Sequence, residues 1–380
     1  MGRAASRTLF AYAGVALAAC HGGAGSTGTS ATGSSSSTGS GGRSSAAFVS
    51  IPPMHEARDL ASATRLATNV VLVAGGEANG KFLASAEIYD PVAGAWSDAA
   101  PMSAGRDAHT ATELPSHAVL VVGGYGISNY LATAERYDPA TNAWTSASSM
   151  TFARLGHTAT LLSDGRVLVA GGYDNSGFVG AAEIYDPNAD AWSPAGTLTT
   201  PRNRHAATLL PDGDVLVTGG FDGTNGLASV EIYDHSTNVW ASAHPMSTPR
   251  WLHVAELLGD GTVLVAGGTS ASGALASAEI YDPAKDTWTS VEGMAHAHAG
   301  ATSATLGDGT VLVVAGLDGS SPLASADIFD PKARTWYVSA DLLEARYEHA
   351  MAALSSGEVL VAGGRGTNVL ASAEVYQRTP

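Results

Sequence analysis

The sequence predicts an all-β fold: a seven-bladed β-propeller whose last blade is closed by the N-terminal strand. Three observations predict it. First, a glycine pair recurs at Gly75-Gly76, Gly123-Gly124, Gly171-Gly172, Gly219-Gly220, Gly267-Gly268 and Gly363-Gly364, and Ala315-Gly316 fills the remaining slot, each step being 48 residues. A fixed period of this size signals a propeller or a solenoid. Second, each period holds four short strand-like runs. Third, the seventh copy stops at Pro380 without a fourth run, while a spare one stands at the front of the repeat region.

The copy from Thr151 to Leu198 shows the elements in order. Gly156 to Leu162 is a mixed polar and apolar strand, and Ser163 to Arg166 is a turn whose Asp-Gly supplies the positive φ of a tight hairpin. Val167 to Ala170 is a continuous apolar run, as a strand covered on both faces requires. The glycine pair ends that run, and a loop from Tyr173 leads to a third strand, Ala181 to Tyr185. Asp186-Pro187-Asn188 turns the chain, and Ala191 to Ser193 is a short fourth strand. Four antiparallel strands make a blade, and blades close radially to hide their edges. Counting back 48 residues from Trp96 and Met102 lands on Phe48 and Met54, so Ala46 to Ile51 reads as the missing fourth strand of the last blade.

The glycine pair is followed at fixed offsets by a tyrosine (Tyr89, Tyr137, Tyr185, Tyr233, Tyr281 and Tyr376, with Phe329 in the sixth copy) and a tryptophan (Trp96, Trp144, Trp192, Trp240, Trp288 and Trp336). This set resembles the kelch repeat over residues 45–380. The resemblance implies a kelch-type propeller in which these aromatics pack between adjacent blades.

The first residues have another character. Arg3 and Arg7 precede an apolar run from Leu9 to Ala19, too short to span a bilayer comfortably. Leu17-Ala18-Ala19-Cys20 resembles the bacterial lipobox, which implies a signal peptide over 1–19 and lipidation of Cys20. His21 follows, not the Asp that resembles an inner-membrane retention signal, so the expected place is the outer membrane or cell surface. Residues 20–45 read as a Gly/Ser-rich tether, and 46–380 as the propeller. Cys20 is the only cysteine, which excludes an intrachain disulfide and a cysteine-based zinc site. A formal charge of −16 disfavours nucleic acid. A monomer is expected.

Antiparallel connectivity sends the loops after the glycine pairs and the linkers into each first strand to one end of the propeller, and the Asp-Gly and Asp-Pro turns to the other. The turn end is uniform. The loop end varies and carries aromatics beside Asn and Asp, Tyr125 and Tyr173 among them, which suit a sugar or peptide ligand. An arginine recurs in the linkers at Arg58, Arg106, Arg154, Arg202, Arg250 and Arg346, with His298 in the sixth slot. A matching acid recurs in the third strand at Glu87, Glu135, Glu183, Glu231, Glu279, Asp327 and Glu374. Two readings compete: guanidinium groups around the channel mouth gripping carboxylates, as the resemblance to kelch substrate adaptors implies, or an Arg–acid pair locking each blade. Repetition favours the lock. Residues present in one blade only are the sharper candidates: Asp107, Asn203, Arg204, Trp251, Tyr347 and Glu348. His109, His157, His205, His253 and His349 sit one per blade and cannot converge on a metal, so they read as packing. His296 and His298 read as a loop variant, and no metal or cofactor is expected.

No nucleophile–His–acid set or phosphate loop stands apart from the repeat. Copper radical oxidases of the galactose oxidase type need a tyrosine crosslinked to cysteine, and the cysteine here lies in the lipobox-like stretch. The expected function is therefore a non-enzymatic, lipid-anchored module that binds an envelope protein or glycan. The alternative is a carbohydrate-active kelch enzyme akin to the sialic-acid mutarotases.

Overall fold

The computed structural model describes residues 46–378, so Cys20, the leader and the tether lie outside the described residues. Seven four-stranded antiparallel sheets form the seven blades. The third blade runs Thr158–Leu161, Val167–Ala170, Ala181–Asp186 and Ala191–Thr197. The sequence places the second strand correctly and cuts the fourth short. The fourth continues past Pro194 because a register shift between Ala181 and Glu183 lets it keep pairing. First strands of neighbouring blades touch in a closed cycle, so they line the axis.

The second strands are wholly buried, as their unbroken apolar runs require: Val71–Ala74, Val119–Val122 and their five counterparts have every residue covered. Each interblade layer mixes two blades. Leu72, Ala86 and Met102 of the first blade, for example, pack with Val119, Val121 and Tyr137 of the second. Fully burying one such side chain is worth about 1.5–3 kcal/mol.

Five of the repeat tyrosines sit directly opposite a tryptophan across the third and fourth strands, with ring centroids 4.9–5.1 Å apart in Tyr89–Trp96, Tyr137–Trp144, Tyr185–Trp192, Tyr233–Trp240 and Tyr281–Trp288. The indole N–H then donates to a carbonyl of the preceding blade, as Trp96 does to Pro52, Trp144 to Ala100 and Trp192 to Ser148. The tryptophan is thus a bolt between blades.

Closure follows the predicted register. Ala46–Ile51 pairs along Ala373–Arg378 with Phe48 opposite Tyr376, and these two rings lie 5.0 Å apart. The seventh blade is built from both ends of the described chain.

Candidate functional site

The recurrent arginines are the first test of the site. Arg58, Arg106, Arg154, Arg202, Arg250 and Arg346 are almost completely buried. In the fourth blade Arg202 Nη1 donates to the carbonyls of Gly219 and Ser229 at 2.8 and 3.1 Å, and Nη2 donates to Glu231 Oε1 at 2.6 Å. Glu231 accepts two linker amides as well, from Thr199 at 2.7 Å and Thr200 at 3.3 Å. Arg58 with Glu87, Arg154 with Glu183, Arg250 with Glu279 and Arg346 with Glu374 repeat this arrangement. Arg106 joins Glu135 in the same way. Such pairs leave no guanidinium face for a ligand. Arg106, Arg154, Arg202, Arg250 and Arg346 are blade latches, and the ring of mouth-facing arginines is corrected accordingly.

The recurrent histidines complete the scaffold. Nε2 of His109, His157, His205, His253 and His349 lies 2.6–3.0 Å from the hydroxyl of Ser62, Thr110, Thr158, Thr218 and Thr302 respectively. Four of these hydroxyls open the first strand of the preceding blade. In the fourth blade that position is Ala206, and the hydroxyl comes from Thr218, which pairs with Ala206 across the ladder. Burial holds His109, His205, His253 and His349 down to about 3. In four repeats, at Gly75, Gly123, Gly171 and Gly219, the first glycine of the pair makes room for this ring: a Cβ on Gly171 would fall 2.4 Å from His205 Cε1.

The two residues after each arginine behave differently. The first of them bridges by backbone to the loop that follows the glycine pair: Asp59 to Glu77, Asp107 to Tyr125, Leu155 to Tyr173, Asn203 to Phe221, Trp251 to Thr269, Ala299 to Leu317 and Tyr347 to Arg365. The second has positive φ in all seven repeats, at Leu60, Ala108, Gly156, Arg204, Leu252, Gly300 and Glu348. Its N–H reaches back to the preceding blade, from Leu60 to the Glu348 carbonyl at 2.9 Å, Ala108 to Leu60 at 3.0 Å, Arg204 to Gly156 at 2.8 Å, Leu252 to Arg204 at 3.0 Å and Gly300 to Leu252 at 2.9 Å. These bonds run around the axis and define the mouth of the channel on the loop face.

Charge gathers at this mouth. Arg365, from the seventh blade, donates from Nε to Asp59 Oδ2 at 2.7 Å and from Nη2 to Glu77 Oε2 at 3.0 Å, tying the last blade to the first. Burial pushes the Glu348 carboxyl up to about 7, with Asp59 and Asp107 adding to the rise and Arg365 and Arg204 opposing it. Burial likewise lifts Asp59 to about 6 against the pull of Arg365. Arg204 is pushed down by burial and held up by Glu348, so these opposite charges from the fourth and seventh blades sense each other. Farther down the channel Glu256 accepts from Ser303 and Thr305 of the next blade at 2.6 and 3.3 Å, where four sister repeats carry a threonine.

Aromatic rings flank the charges on one side. Phe82, Tyr125, Tyr130, Tyr173, Phe178, Phe221 and Trp251 form a chain with successive centroids 5.0–6.0 Å apart. Tyr125 and Tyr173 are half-buried members of it. Trp251 is only 3% exposed, and its indole lies so close over Gly226 that a Cβ there would meet it at 2.5 Å. It fills the place that Tyr130 and Phe178 take in earlier blades. Trp251 therefore ends the arc as a packed member, not as a free stacking platform. Asn203 is buried too, while Asp107, Arg204, Tyr347 and Glu348 keep partial exposure at the mouth. Sequence reasoning missed Asp59 and Arg365. Arg365 occupies a slot whose sister residues are uncharged or opposite in sign, while Asp59 shares its slot with Asp107, so that acid is not confined to one blade; aligning the seven copies column by column exposes both. The clefts at the rims of blades one and two, lined by His55, Glu56 and Asp98 and by Ser103, Glu135 and Ser146, are shallow and gather no such set.

The KLHDC2/KLHL20/DRC7 Kelch-repeats domain matches residues 156–364, and the Kelch motif matches 67–103 and 115–151. No curated protein matches the chain. Among solved structures, a fungal alcohol oxidase of the AA5 family in complex with copper superposes with a TM-score of 0.71 at 17% identity, covering 87% of this chain and 75% of its own. YjhT superposes with a TM-score of 0.62 at 17% identity, covering 76% of this chain and 99% of its own. At this identity both likenesses concern the fold. With the repeat, the latches and the ring closure all in place, the chain belongs to the kelch-repeat family of β-propeller proteins.

Proposed function

We propose that this propeller is a binding module of the bacterial cell envelope that seats a glycan or protein ligand at the axial mouth of its loop face. One observation carries the reading. Blade-to-blade variation in charge converges on the mouth, where Asp59, Asp107, Arg204, Glu348 and Arg365 act on one another beside an arc of aromatic rings. A ligand with apolar surface and hydrogen-bonding groups matches that pairing. Cys20 supplies the lipid anchor, and the Gly/Ser-rich stretch behind it supplies reach.

A screen of the purified chain against glycans and envelope proteins tests the site. Binding should fall at least tenfold in Arg204→Ala combined with Tyr347→Ala. Hits that bind this double variant as tightly as the parent would overturn the assignment. Cys20→Ser should move the protein from the membrane to the soluble fraction, and unchanged fractionation would remove the anchor from the proposal.

A second reading has one observation of its own. Glu348, held near 7 in a mouth that also contains Arg204, has the protonation range of a general acid–base group. In that reading the protein is a carbohydrate-active enzyme acting on an acidic sugar. Mutarotation of sialic acid followed by NMR tests it. A rate equal to the spontaneous one, at any enzyme concentration, eliminates it.

A further inference from the structure

The sixth blade breaks the latch pattern. Its linker carries His298 where six blades carry arginine, and its third strand carries Asp327 where they carry glutamate. His298 Nδ1 lies 2.7 Å from the Ala315 carbonyl, so that nitrogen carries the proton and donates. Nε2 then faces Asp327 Oδ2 at 3.0 Å. His296 Nδ1 faces the same oxygen at 3.1 Å. An imidazole lone pair and a carboxylate oxygen repel unless something positive lies between them. The guanidinium supplies that charge in the other blades.

Imidazole is also shorter than the arginine side chain, and the shortfall is visible. The arginine Nη2 reaches a hydroxyl of the third-strand approach at 3.0–3.2 Å: Ser85, Thr133, Ser229, Ser277 and Ser372 in turn. The matching residue of the sixth blade is Ser325. It is 8% exposed, and its Oγ has no hydrogen-bond partner. A buried hydroxyl without a partner costs about 1–3 kcal/mol, and this one borders the volume that a guanidinium occupies in its sisters.

We propose that the sixth blade binds a divalent transition-metal ion of the zinc type in place of the missing guanidinium. Nδ1 of His296, Nε2 of His298 and a carboxylate oxygen of Asp327 all lie within 4.8 Å of one another, and Ser325 Oγ or water completes the shell. Two imidazoles and a carboxylate form a borderline N/O donor set suited to such an ion. Tetrahedral bonds of about 2.0–2.1 Å put ligand atoms about 3.3 Å apart, close to the 3.0 and 3.1 Å separations here. The Ala315 carbonyl acts as the outer partner that fixes the His298 tautomer with Nε2 free to ligate. The site lies in a blade latch, so it stabilises the ring and is separate from the mouth.

The test uses the purified chain, metal-stripped and then titrated with Zn²⁺, with calorimetry and thermal unfolding as readouts. Wild type should bind one tight equivalent and melt at a higher temperature when loaded. His296→Ala should weaken that equivalent about tenfold or more. The decisive variant is His298→Arg with Asp327→Glu. It rebuilds the pair found in six blades, so it folds, and it should lose the tight equivalent while the metal-free form melts above metal-free wild type. If wild type shows no Zn²⁺-dependent shift, or if the rebuilt latch shows the same shift as wild type, the proposal fails.

Discussion

Arg202 and Arg204 are two residues apart in one linker, and their surroundings are opposite. Arg202 belongs to a column that reads arginine in six repeats; it is fully buried and bonded to Glu231 and two carbonyls. Arg204 belongs to a column that reads Leu, Ala, Gly, Arg, Leu, Gly and Glu; it sits half-buried at the mouth within reach of the field of Glu348. The contrast separates two duties of the same short segment. A residue that repeats in every blade solves a problem every blade has, namely how to join its linker to its sheet. A residue that occurs once solves a problem the whole ring has, and the axis is where the ring acts as one body.

The strongest way to break this contrast is to break the ring. Deleting 46–51 removes the strand opposite Ala373–Arg378 and the buried Phe48, and should cost at least about 5 kcal/mol. Chemical denaturation reads this directly, and an unchanged midpoint would show that the closure contributes nothing.

Next come the two arginines. Arg202→Ala strands the buried Glu231 carboxylate and should cost about 3–5 kcal/mol. Arg204→Ala should cost less than about 1 kcal/mol while weakening ligand capture. Equal losses of stability would erase the distinction between latch and mouth.

A finer probe moves one hydroxyl. Thr218→Ala leaves His253 Nε2 without its partner and should cost about 1–3 kcal/mol. Adding Ala206→Thr returns a hydroxyl from the neighbouring strand position used by the other blades, and should recover most of the loss. Failure of the second change to rescue the first would show that the histidines are held by packing alone.

The smallest effect is a pH dependence with opposed parts. The buried histidines stay neutral in the folded state down to about 3, while unfolded ones take up protons below about 6.5. The unfolded state binds more protons in that window, so their contribution to stability is full above it and is lost as pH falls. Glu348 has the opposite sign. Its folded value of about 7 exceeds the unfolded 4.5, so its protonated form favours folding at low pH and stability drops as pH rises through that range. Glu348→Gln should therefore stabilise the protein by about 1 kcal/mol at pH 8, after discount for water at the mouth, and by nearly nothing at pH 4. Thermal melts at the two pH values check the sign.

The blade pattern was legible because each blade solves its packing problem alike, so the 48-residue period, the strand order and the closing strand at 46–51 stand in plain view. The mouth was legible only in part. Five of its seven inner residues, Leu60, Ala108, Arg204, Leu252 and Glu348, adopt positive φ without being glycine, and only Gly156 and Gly300 betray the turn. Interblade hydrogen bonds hold these residues in a conformation their side chains do not favour, and a local reading of sequence does not see such bonds. Of the two readings of the recurrent arginines, the structure keeps the lock that repetition favours and removes the ligand grip. Charge suggests surface, and these charges are interior because the same blade supplies carbonyls and a carboxylate to the terminal guanidinium nitrogens.

The closing strand has a consequence for how the molecule is presented. Ala46 pairs with Arg378, and Arg378 bonds to Asp308 and Thr310 at an Asp-Gly hairpin of the sixth blade. The first described strand therefore begins at the rim of the uniform turn face, on the side away from the mouth. Both ends of the described chain thus meet on one face of the ring, and the charged and aromatic opening lies on the other.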